Sequence, residues 1–282
     1  MSGQAGASVG AGGASDSGTD QASETRTDAK GNPPVDAALD NTCANPNLCA
    51  LGAALVHRYQ FNGTGTTATD SVGTAHGTVV NTQLSGNGSV TLAGGTGNQF
   101  VELPSGIVSQ LTNATLEVWA TWNGGGGWQR MFDFGDGVVV GAETKGSTTL
   151  YLTPKAGASP NYSGPAVLLN GFKRADQTTA QELNVIGASA LTTGTMVHVA
   201  VVVDDGNNQM ALYRNGMLET ASPFTDSLSL LNDVHNRLGQ SQYSADPEFA
   251  GTIFEFRIYN VALPASLIQA SFAAGPDAAG LR

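Results

Sequence analysis

The sequence predicts an all-β domain of antiparallel strands, with a disordered N-terminal tail and one short helix near the C-terminus. Two observations carry this prediction: apolar side chains alternate along several segments after residue 54, and 37 glycines supply frequent tight turns. Alternation with a period of two is typical of half-buried strands, because successive side chains point to opposite faces. Strands at this density must pack as two sheets or a barrel to bury their apolar faces.

The N-terminal segment, residues 1–42, consists mainly of Gly, Ala, Ser, Thr and Asp. Such a segment buries too little apolar surface to offset its ordering entropy. We therefore expect a disordered tether with a root-mean-square span of about 35 Å, the value for a Gly-rich coil of this length.

The two cysteines, Cys43 and Cys49, lie in the string CANPNLC, whose Asn-Pro-Asn centre can turn the chain back. We expect residues 43–53 to form a short cysteine-bounded loop at the domain entrance. A disulfide between the two cysteines would indicate an oxidising compartment, and two free thiols are the alternative.

Alternation is clearest in two segments. Residues 115–122 and 197–204 each carry four apolar side chains on one face: Leu116, Val118, Ala120 and Trp122 in the first, and Val197, Val199, Val201 and Val203 in the second. Asn215-Gly216 predicts a two-residue hairpin turn, which needs positive φ at both positions.

The last long strand is expected at residues 250–259, with Phe254, Phe256 and Ile258 on one face. Residues 264–272 carry apolar side chains at helical spacing after a proline, which predicts a short helix that caps one end of the sandwich.

The chain carries 12 basic and 23 acidic residues, for a net charge of −11 and a pI near 4.6. Such a surface repels phosphate backbones, so nucleic acid and anionic membranes are excluded as expected partners. The sequence has neither an apolar run of transmembrane length nor a visible export signal. The cysteines lead us to expect an extracytoplasmic protein, secreted or tethered to the cell surface. Because no export signal is visible, we expect a signal or lipoprotein segment to precede the given chain.

Several strings, in order, resemble a known family. They are HRYQFNG, ATDSVGTAHGTVV, NQFVELP, ATLEVWATWNGGGGWQRMFDFGDG, TLYLTPKAG, TMVHVAVVVDDGNNQMALYRNGM and NRLGQSQYSADPEFAGTIFEFRIYNVAL. Together they are similar to the laminin-G-like jelly rolls of the concanavalin A-like lectin/glucanase superfamily. The resemblance covers residues 54–275 and leaves 276–282 as a C-terminal tail. It implies a two-sheet antiparallel jelly roll that binds glycan or protein, frequently with a structural calcium ion.

The chain departs from that family pattern at two positions. Met196 replaces an aromatic residue two positions before His198, and Phe254 replaces the carboxylate of an Ile-Asp-Glu string. Any ligand or ion contact that the carboxylate makes in the family is therefore in doubt in this chain.

Candidate ligand-binding residues are those that could stack on sugar rings or hydrogen-bond to hydroxyl groups. Trp128 follows four glycines and precedes Arg130, and Tyr243 follows Gln242 in the string SQYSAD. We interpret these four residues as candidates for a glycan surface. The alternative is that the aromatic rings simply pack against a sheet.

Candidate metal ligands are Asp70 in ATDSVG and Asp246 in SADPEF, as carboxylates that could bind Ca²⁺. The alternative is that both form turns. Asp133 and Asp136 in FDFGDG lack the further acidic residues of a calcium loop, so we interpret that string as a turn.

Catalytic motifs are absent. A retaining glycosidase needs two carboxyl groups about 5–5.5 Å apart, which alternate residues of one strand supply, yet no glutamate has an acidic residue two positions later. The sequence contains no Gly-x-Ser-x-Gly elbow, and His198 within the valine strand favours a structural role.

The sequence therefore predicts a non-catalytic extracytoplasmic module that recognises a polysaccharide or glycoconjugate, with calcium as an optional structural ion. Protein–protein adhesion is the alternative, and glycoside hydrolysis is the least favoured function.

Overall fold

The computed structural model describes residues 44–157, 168–178 and 181–281. Within these ranges the chain forms helices α1 (Pro46–Ala54) and α2 (Ala265–Ala274), a 3-10 turn at Leu228–Leu230, and nineteen strands. The strands are β1 (Leu55–Tyr59), β2 (Thr64–Gly65), β3 (Thr67–Ala68), β4 (Gly77–Val80), β5 (Leu84–Ser85), β6 (Val90–Gly95), β7 (Phe100–Leu103), β8 (Ala114–Trp122), β9 (Phe132–Gly135), β10 (Val138–Val140), β11 (Glu143–Lys145), β12 (Thr149–Thr153), β13 (Leu169–Lys173), β14 (Leu183–Ile186), β15 (Met196–Asp204), β16 (Gln209–Arg214), β17 (Met217–Pro223), β18 (His235–Leu238) and β19 (Glu248–Tyr259). The tether predicted for residues 1–42 and Cys43 lie outside the described residues, so the Cys43–Cys49 disulfide stays a prediction.

Two large antiparallel sheets form the domain, which confirms the predicted two-sheet sandwich. The seven-stranded sheet has the order β1-β19-β8-β15-β16-β17, with β6 paired to the first half of β19. The eight-stranded sheet has the order β14-β13-β12-β9-β18-β7-β4-β3. Two small ribbons, β2-β5 and β10-β11, complete the described strands.

The core lies between the two sheets and is built from alternate side chains of each strand. Leu116, Val118, Ala120 and Trp122 of β8 are buried there, as are the four alternate valines of β15, which confirms both predicted faces. From the opposite sheet, Phe134 meets Phe256 of β19 edge to face at 5.9 Å. Burial of each large apolar side chain stabilises the fold by about 1.5–3 kcal/mol, so these facing layers supply most of the driving force.

The hairpin between β16 and β17 has the predicted turn. Asn215 and Gly216 have φ values of 51° and 76°, which a type I′ turn requires. The Asn215 amide oxygen also accepts from the backbone N–H of His198 at 3.0 Å, which fixes the turn against β15.

Strand β19 differs from the predicted pattern because of a bulge between Ile253 and Glu255. The extra residue, Phe254, is half-buried, and Ile253 takes the core position beside Phe256. A bulge shifts the alternation by one residue, so the prediction that Phe254 shares a face with Phe256 is wrong.

Residues 43–53 were expected to form a loop, but helix α1 occupies most of this segment. Asn45 caps it, since its side chain accepts from the backbone N–H groups of Asn47 and Leu48, and Pro46 occupies the first turn. Leu51 of α1 packs with Ile268 of α2 against outward side chains of the seven-stranded sheet. The C-terminal helix predicted at 264–272 is present as α2, but it covers a sheet face rather than an end of the sandwich.

The C-terminal segment after α2 also belongs to the domain, although 276–282 was expected to be a tail. Ala278 and Leu281 are buried against the same sheet face. The Arg58 guanidinium donates to the carbonyl oxygens of both residues. No helix among the described residues is long and apolar enough to span a membrane.

Candidate functional site

The outward face of the eight-stranded sheet carries a row of mostly polar side chains in register across seven strands. The residues next to them on the same strands, such as Phe132, Leu150 and Phe172, fill the core. Because successive side chains of a strand point to opposite faces, the row points away from the core. From β14 to β4 the row reads Asn184, Gly171, Tyr151, Asp133, Arg237, Glu102 and Thr78.

Arg130 organises the centre of this face. Its Nε donates to Asp133 at 3.0 Å, its Nη2 to Asp246 at 2.8 Å, and its Nη1 to the carbonyl of Trp128 at 2.7 Å. The guanidinium also lies 4.2 Å from the centre of the Tyr151 ring, over its face. Burial lowers the pKa of Arg130, but the charges of Asp133 and Asp246 outweigh this effect and leave it raised.

Asp133 fastens the loop of residues 241–246 to the sheet. It accepts from the backbone N–H of Gln242 at 3.0 Å and from the Ser241 hydroxyl at 3.3 Å. The Gln242 side chain donates to the backbone carbonyls of Asp133 and His235. Asp133 lies in β9, so the turn predicted for FDFGDG is wrong for Asp133; Asp136 follows the strand and accepts from the backbone N–H groups of Ser147 and Thr148.

Two of the predicted ligand-binding residues are buried in the structure, and their part in ligand binding stays a prediction. Arg130 is 3% exposed and Gln242 is fully buried. Arg130 donates to Asp133, Asp246 and the Trp128 carbonyl, and Gln242 donates to two backbone carbonyls.

Trp128 stands at one side of this centre. Its backbone has a φ of 70°, a strained value for a non-glycine residue, and its N–H donates to the carbonyl of Lys155 at 2.8 Å. The half-buried ring packs against the small apolar cluster that contains Tyr151 and Ala156. A Cβ on Gly157 would lie 2.4 Å from the indole nitrogen, so only glycine allows this ring position.

Tyr243 stands beside Lys173 and is half-buried. Its hydroxyl donates to the carbonyl of Gly146 at 2.9 Å and accepts from the Lys173 ammonium at 3.0 Å. Burial raises the pKa of Tyr243, with the negative charges of Glu182 and Asp133 adding to the effect. The hydroxyl therefore stays protonated and the ring is held at a fixed angle.

Tyr151 and Glu182 complete the site, and sequence reasoning missed both, together with Lys173. Tyr151 crosses the sheet over Gly171 and donates to Glu182 Oε2 at 3.0 Å. Burial raises the pKa of Glu182 to about 7, although the Tyr151 hydrogen bond and the charges of Arg130 and Lys173 oppose it. No local signal marks this group, because Tyr151 lies in β12, Lys173 in β13 and Glu182 directly before β14, so the three meet only in the fold.

Asp70, one of the two predicted metal ligands, makes none of the contacts described above around Arg130. Its carboxylate accepts from His57 Nδ1 at 2.8 Å and from four backbone N–H groups, those of Arg58, Val72, Gly73 and Ala75. Burial raises the pKa of Asp70, but the hydrogen bonds from His57 and the backbone outweigh it and leave the pKa lowered. Asp246 is committed to Arg130 and Ser241. Across the described ranges no three His, Cys, Asp or Glu side chains group as metal ligands, and the calcium prediction stays untested.

His198 lies on the other sheet and is buried, which agrees with the structural role that the sequence favours. Its ring lies against Trp119 at a tilt of 36°, with ring centres 4.4 Å apart, and its Nε2 lies 3.3 Å from Glu117. Met196, at the start of the same strand, is 47% exposed.

The fold resembles several solved structures at low sequence identity. Domain 4 of AbnA, a GH43 extracellular arabinanase from Geobacillus stearothermophilus in complex with arabinotriose, is 19% identical, with a TM-score of 0.50, and the match covers 77% of this chain and 97% of that one. The Ruminococcus gnavus IT-sialidase CBM40 is 16% identical, with a TM-score of 0.51 and coverage of 64% and 95%. The botulinum neurotoxin serotype D ligand binding domain in complex with N-acetylneuraminic acid is 11% identical, with a TM-score of 0.54 and coverage of 81% and 53%. At these identities the likeness shows the fold alone.

A search of curated proteins finds no significant sequence match. A family model described as the concanavalin A-like lectin/glucanases superfamily matches residues 94–269. That range includes β8 to β19 and every residue of the site around Arg130. The chain therefore belongs to the concanavalin A-like lectin/glucanase superfamily, as its sequence motifs and its two-sheet fold both indicate.

Proposed function

We propose that this domain is a non-catalytic glycan-binding module whose binding surface lies on the outward face of the eight-stranded sheet. The observation that carries the proposal is the pair of half-buried aromatic rings, Trp128 and Tyr243, both fastened to one buried ion-pair network. Rigid aromatic faces suit the apolar face of a sugar ring, and a prearranged site avoids the entropic cost of ordering on binding.

The ion-pair network of Arg130, Asp133 and Asp246 links the segments that carry the two rings. Arg130 bridges the segment that carries Trp128 and the loop that carries Tyr243, since it contacts both the Trp128 carbonyl and Asp246. Asp133 ties the same loop to β9. Sites supported by such buried partners hold their ligand-contacting groups in one geometry. The similar structures in complex with arabinotriose and with N-acetylneuraminic acid support a glycan as ligand.

The experiment is a glycan array probed with the wild-type protein and three variants, each in Ca²⁺ and in EDTA. We expect Trp128→Ala and Tyr243→Ala to weaken binding about thirtyfold, the effect of losing about 2 kcal/mol of a central contact. The control is Phe272→Ala on α2, which is 39% exposed and covers the opposite sheet. Equal binding by all four proteins would place the ligand elsewhere, and silence on every glycan would favour the alternative of protein adhesion. Binding that is lost in EDTA would support the calcium proposal.

Hydrolysis is the second candidate, and one observation favours it. Glu182, whose pKa is raised to about 7, could stay protonated near neutral pH as a general acid does. Against this, Asp133 is fully buried and its oxygens accept from Arg130, Gln242, Ser241 and Thr149, which leaves it poorly placed to attack a sugar. Release of reducing sugar from an arabinan or a β-glucan, lost in Glu182→Gln, would replace binding with catalysis as the function.

We also propose an extracytoplasmic location, in which the protein is secreted or tethered to the cell surface. The cysteine content and the low charge density of the sequence support this proposal. Alkylation of the native protein tests it: both cysteines should resist modification until the protein is reduced, and two reactive thiols would contradict the oxidising compartment.

A further inference from the structure

The described part of the chain contains nine lysine and arginine side chains, and seven of them have a carboxylate oxygen within 4.0 Å. The two others are Lys155 and Lys173. In a chain with a net charge of −11, cations that lack a carboxylate partner within the described ranges are unusual, because acidic groups outnumber basic ones almost two to one.

Lys173 contacts the Tyr243 ring, and Lys155 is linked to Trp128 through its backbone. The Lys155 carbonyl accepts from the Trp128 N–H, and its ammonium lies 3.4 Å from the Gly125 carbonyl. The Lys173 ammonium donates to Gly146 and Tyr243, and it lies 5.6 Å from the Tyr243 ring centre. An ammonium has three N–H donors, so Lys173 retains one donor for a ligand.

Glu182 is an acidic group near Lys173, since the positive charge of Lys173 acts to lower the pKa of Glu182. The charged and titratable groups that face Glu182 from the surrounding elements are Arg130, Asp133, Tyr151, Lys173 and Tyr243. The positive charge of Arg130 is balanced by Asp133 and Asp246 at 3.0 and 2.8 Å. An anion bound at Lys173 would therefore be opposed chiefly by the charge of Glu182, and protonation of Glu182 would remove that opposition.

We propose that the site selects acidic glycans, with Lys173, assisted by Lys155, binding a carboxylate or sulfate group of the sugar while Glu182 takes up a proton. This inference rests on the proposed glycan-binding function and adds the ligand class and its pH dependence. The overall negative charge does not prevent it, because charges farther away than about 8 Å are largely screened at physiological salt.

The first experiment titrates the protein with three pairs of glycans, each pair consisting of an acidic member and a related neutral member. The pairs are sialyllactose with lactose, trigalacturonate with its methyl ester, and sulfated with unsulfated N-acetyllactosamine. We expect at least one acidic member to bind about tenfold more tightly than its neutral partner, as expected for a hydrogen bond to a charged group. The pair that shows the preference distinguishes carboxylate from sulfate. Preference for the neutral members would overturn the inference but leave the glycan-binding function intact, whereas failure of all six to bind, together with a silent array, would reject the function itself.

The second experiment assigns the preference to the lysines. Lys173→Met should remove most of the tenfold difference, Lys155→Met should reduce it, and Lys173→Arg should retain it because the charge remains. The matched control is Lys145→Met, which deletes an exposed lysine already paired with Glu143. Circular dichroism and thermal unfolding establish that each variant is folded. A folded Lys173→Met protein that keeps the full acidic preference would overturn the proposal.

The third experiment tests proton uptake. If ligand binds only when Glu182 is protonated, lowering the pH from 8 to 6 should tighten binding of the acidic glycan up to about tenfold, because the apparent affinity scales with the competent fraction. Glu182→Gln should bind equally at both pH values, at least as tightly as the wild type at pH 6. A pH dependence that persists unchanged in Glu182→Gln would contradict the role given to Glu182.

Discussion

On the outward face of the seven-stranded sheet, Glu117, Glu255 and Arg257 are fully buried beneath α2 and the C-terminal segment. On the outward face of the eight-stranded sheet, Lys173 and Glu182 remain half-buried. The first face balances each of its charges internally, whereas the second leaves a lysine without a carboxylate partner. Buried charge alone therefore does not indicate a binding site, and the lysine without a carboxylate partner is what distinguishes the outward face of the eight-stranded sheet.

The two faces also shift the pKa of their glutamates in opposite directions. Burial raises the pKa of Glu117, but His198, Arg257 and Ser271 outweigh it and the result is lowered. For Glu182 burial outweighs the Tyr151 hydrogen bond and the neighbouring cations, and the pKa rises to about 7. We call the outward face of the seven-stranded sheet, which lies beneath α2, the covered face, and the outward face of the eight-stranded sheet the open face. A glutamate that stays charged contributes to stability on the covered face. A glutamate that titrates near neutral pH can respond to a ligand on the open face.

The largest effect is expected from Arg257→Met on the covered face. Arg257 is fully buried, ion-paired with Glu255, hydrogen-bonded to Ser271 and the Gly275 carbonyl, and stacked 4.2 Å from the Trp119 ring centre. Removing it leaves the buried carboxylates of Glu117 and Glu255 with Arg58 as their one remaining arginine partner among the described residues, so the free energy of unfolding should fall by about 3–5 kcal/mol. Urea denaturation measures it.

The matched control for that substitution lies on the open face. Arg237→Met deletes a side chain that is 18% exposed and paired with Glu102 at 3.1 Å, and it should cost no more than about 1 kcal/mol. Equal losses in the two variants would remove the distinction between the faces.

A smaller effect is expected from Gly171→Ala, which tests how the open face holds Tyr151. The new Cβ would lie 2.6 Å from ring atoms of Tyr151, so the ring must move and its hydrogen bond to Glu182 must lengthen. Overpacking of this kind costs about 1–3 kcal/mol, and affinity for glycan should fall in parallel. Denaturation and titration on the same sample measure both.

Gly52→Ala serves as the control, because nothing lies within 4 Å of its added Cβ. It lies inside α1, where alanine should stabilise the helix by about 0.5–1 kcal/mol. If Gly171→Ala changed the free energy of unfolding no more than Gly52→Ala does, the position of the Tyr151 ring would not require glycine at residue 171.

Much of the fold could be predicted because its determinants are local. The alternation in β8 and β15 and the turn at Asn215-Gly216 each arise from neighbours in sequence. The bulge at Phe254 could not be predicted, because an unpaired residue has no signature of its own until its partner strand β8 is known. Helix α1 was missed because its segment is short and stabilised by packing on α2 rather than by periodicity.

The part of the site that has local sequence signals could also be predicted. Trp128 and Tyr243 could be chosen because aromatic residues beside glycine and polar residues are visible in sequence. The burial of Gln242 depends on Asp133, a partner 109 residues away, and that of Arg130 depends in part on Asp246, 116 residues away. Tyr151, Lys173 and Glu182 come together only when β12, β13 and β14 align. No local sequence pattern could therefore predict that these three side chains lie close together.

The smallest effect is expected from Glu182→Gln, and it tests the electrostatics of the open face without any ligand. Because the folded pKa of about 7 lies above the ordinary value of 4.5, folding favours the protonated form. The stability contribution of this group is therefore complete below pH 4.5 and is lost as the pH rises through 7. Between pH 5 and pH 8 the wild type should lose about 1 kcal/mol relative to Glu182→Gln, since solvent screening weakens the effect at a half-buried group. Denaturation curves at the two pH values measure the difference, with the exposed Glu143→Gln as the control that should follow the wild type. A Glu182→Gln protein with the wild-type pH dependence would mean that Glu182 is already ionised at neutral pH, and the two outward faces would then no longer differ in the protonation of their glutamates.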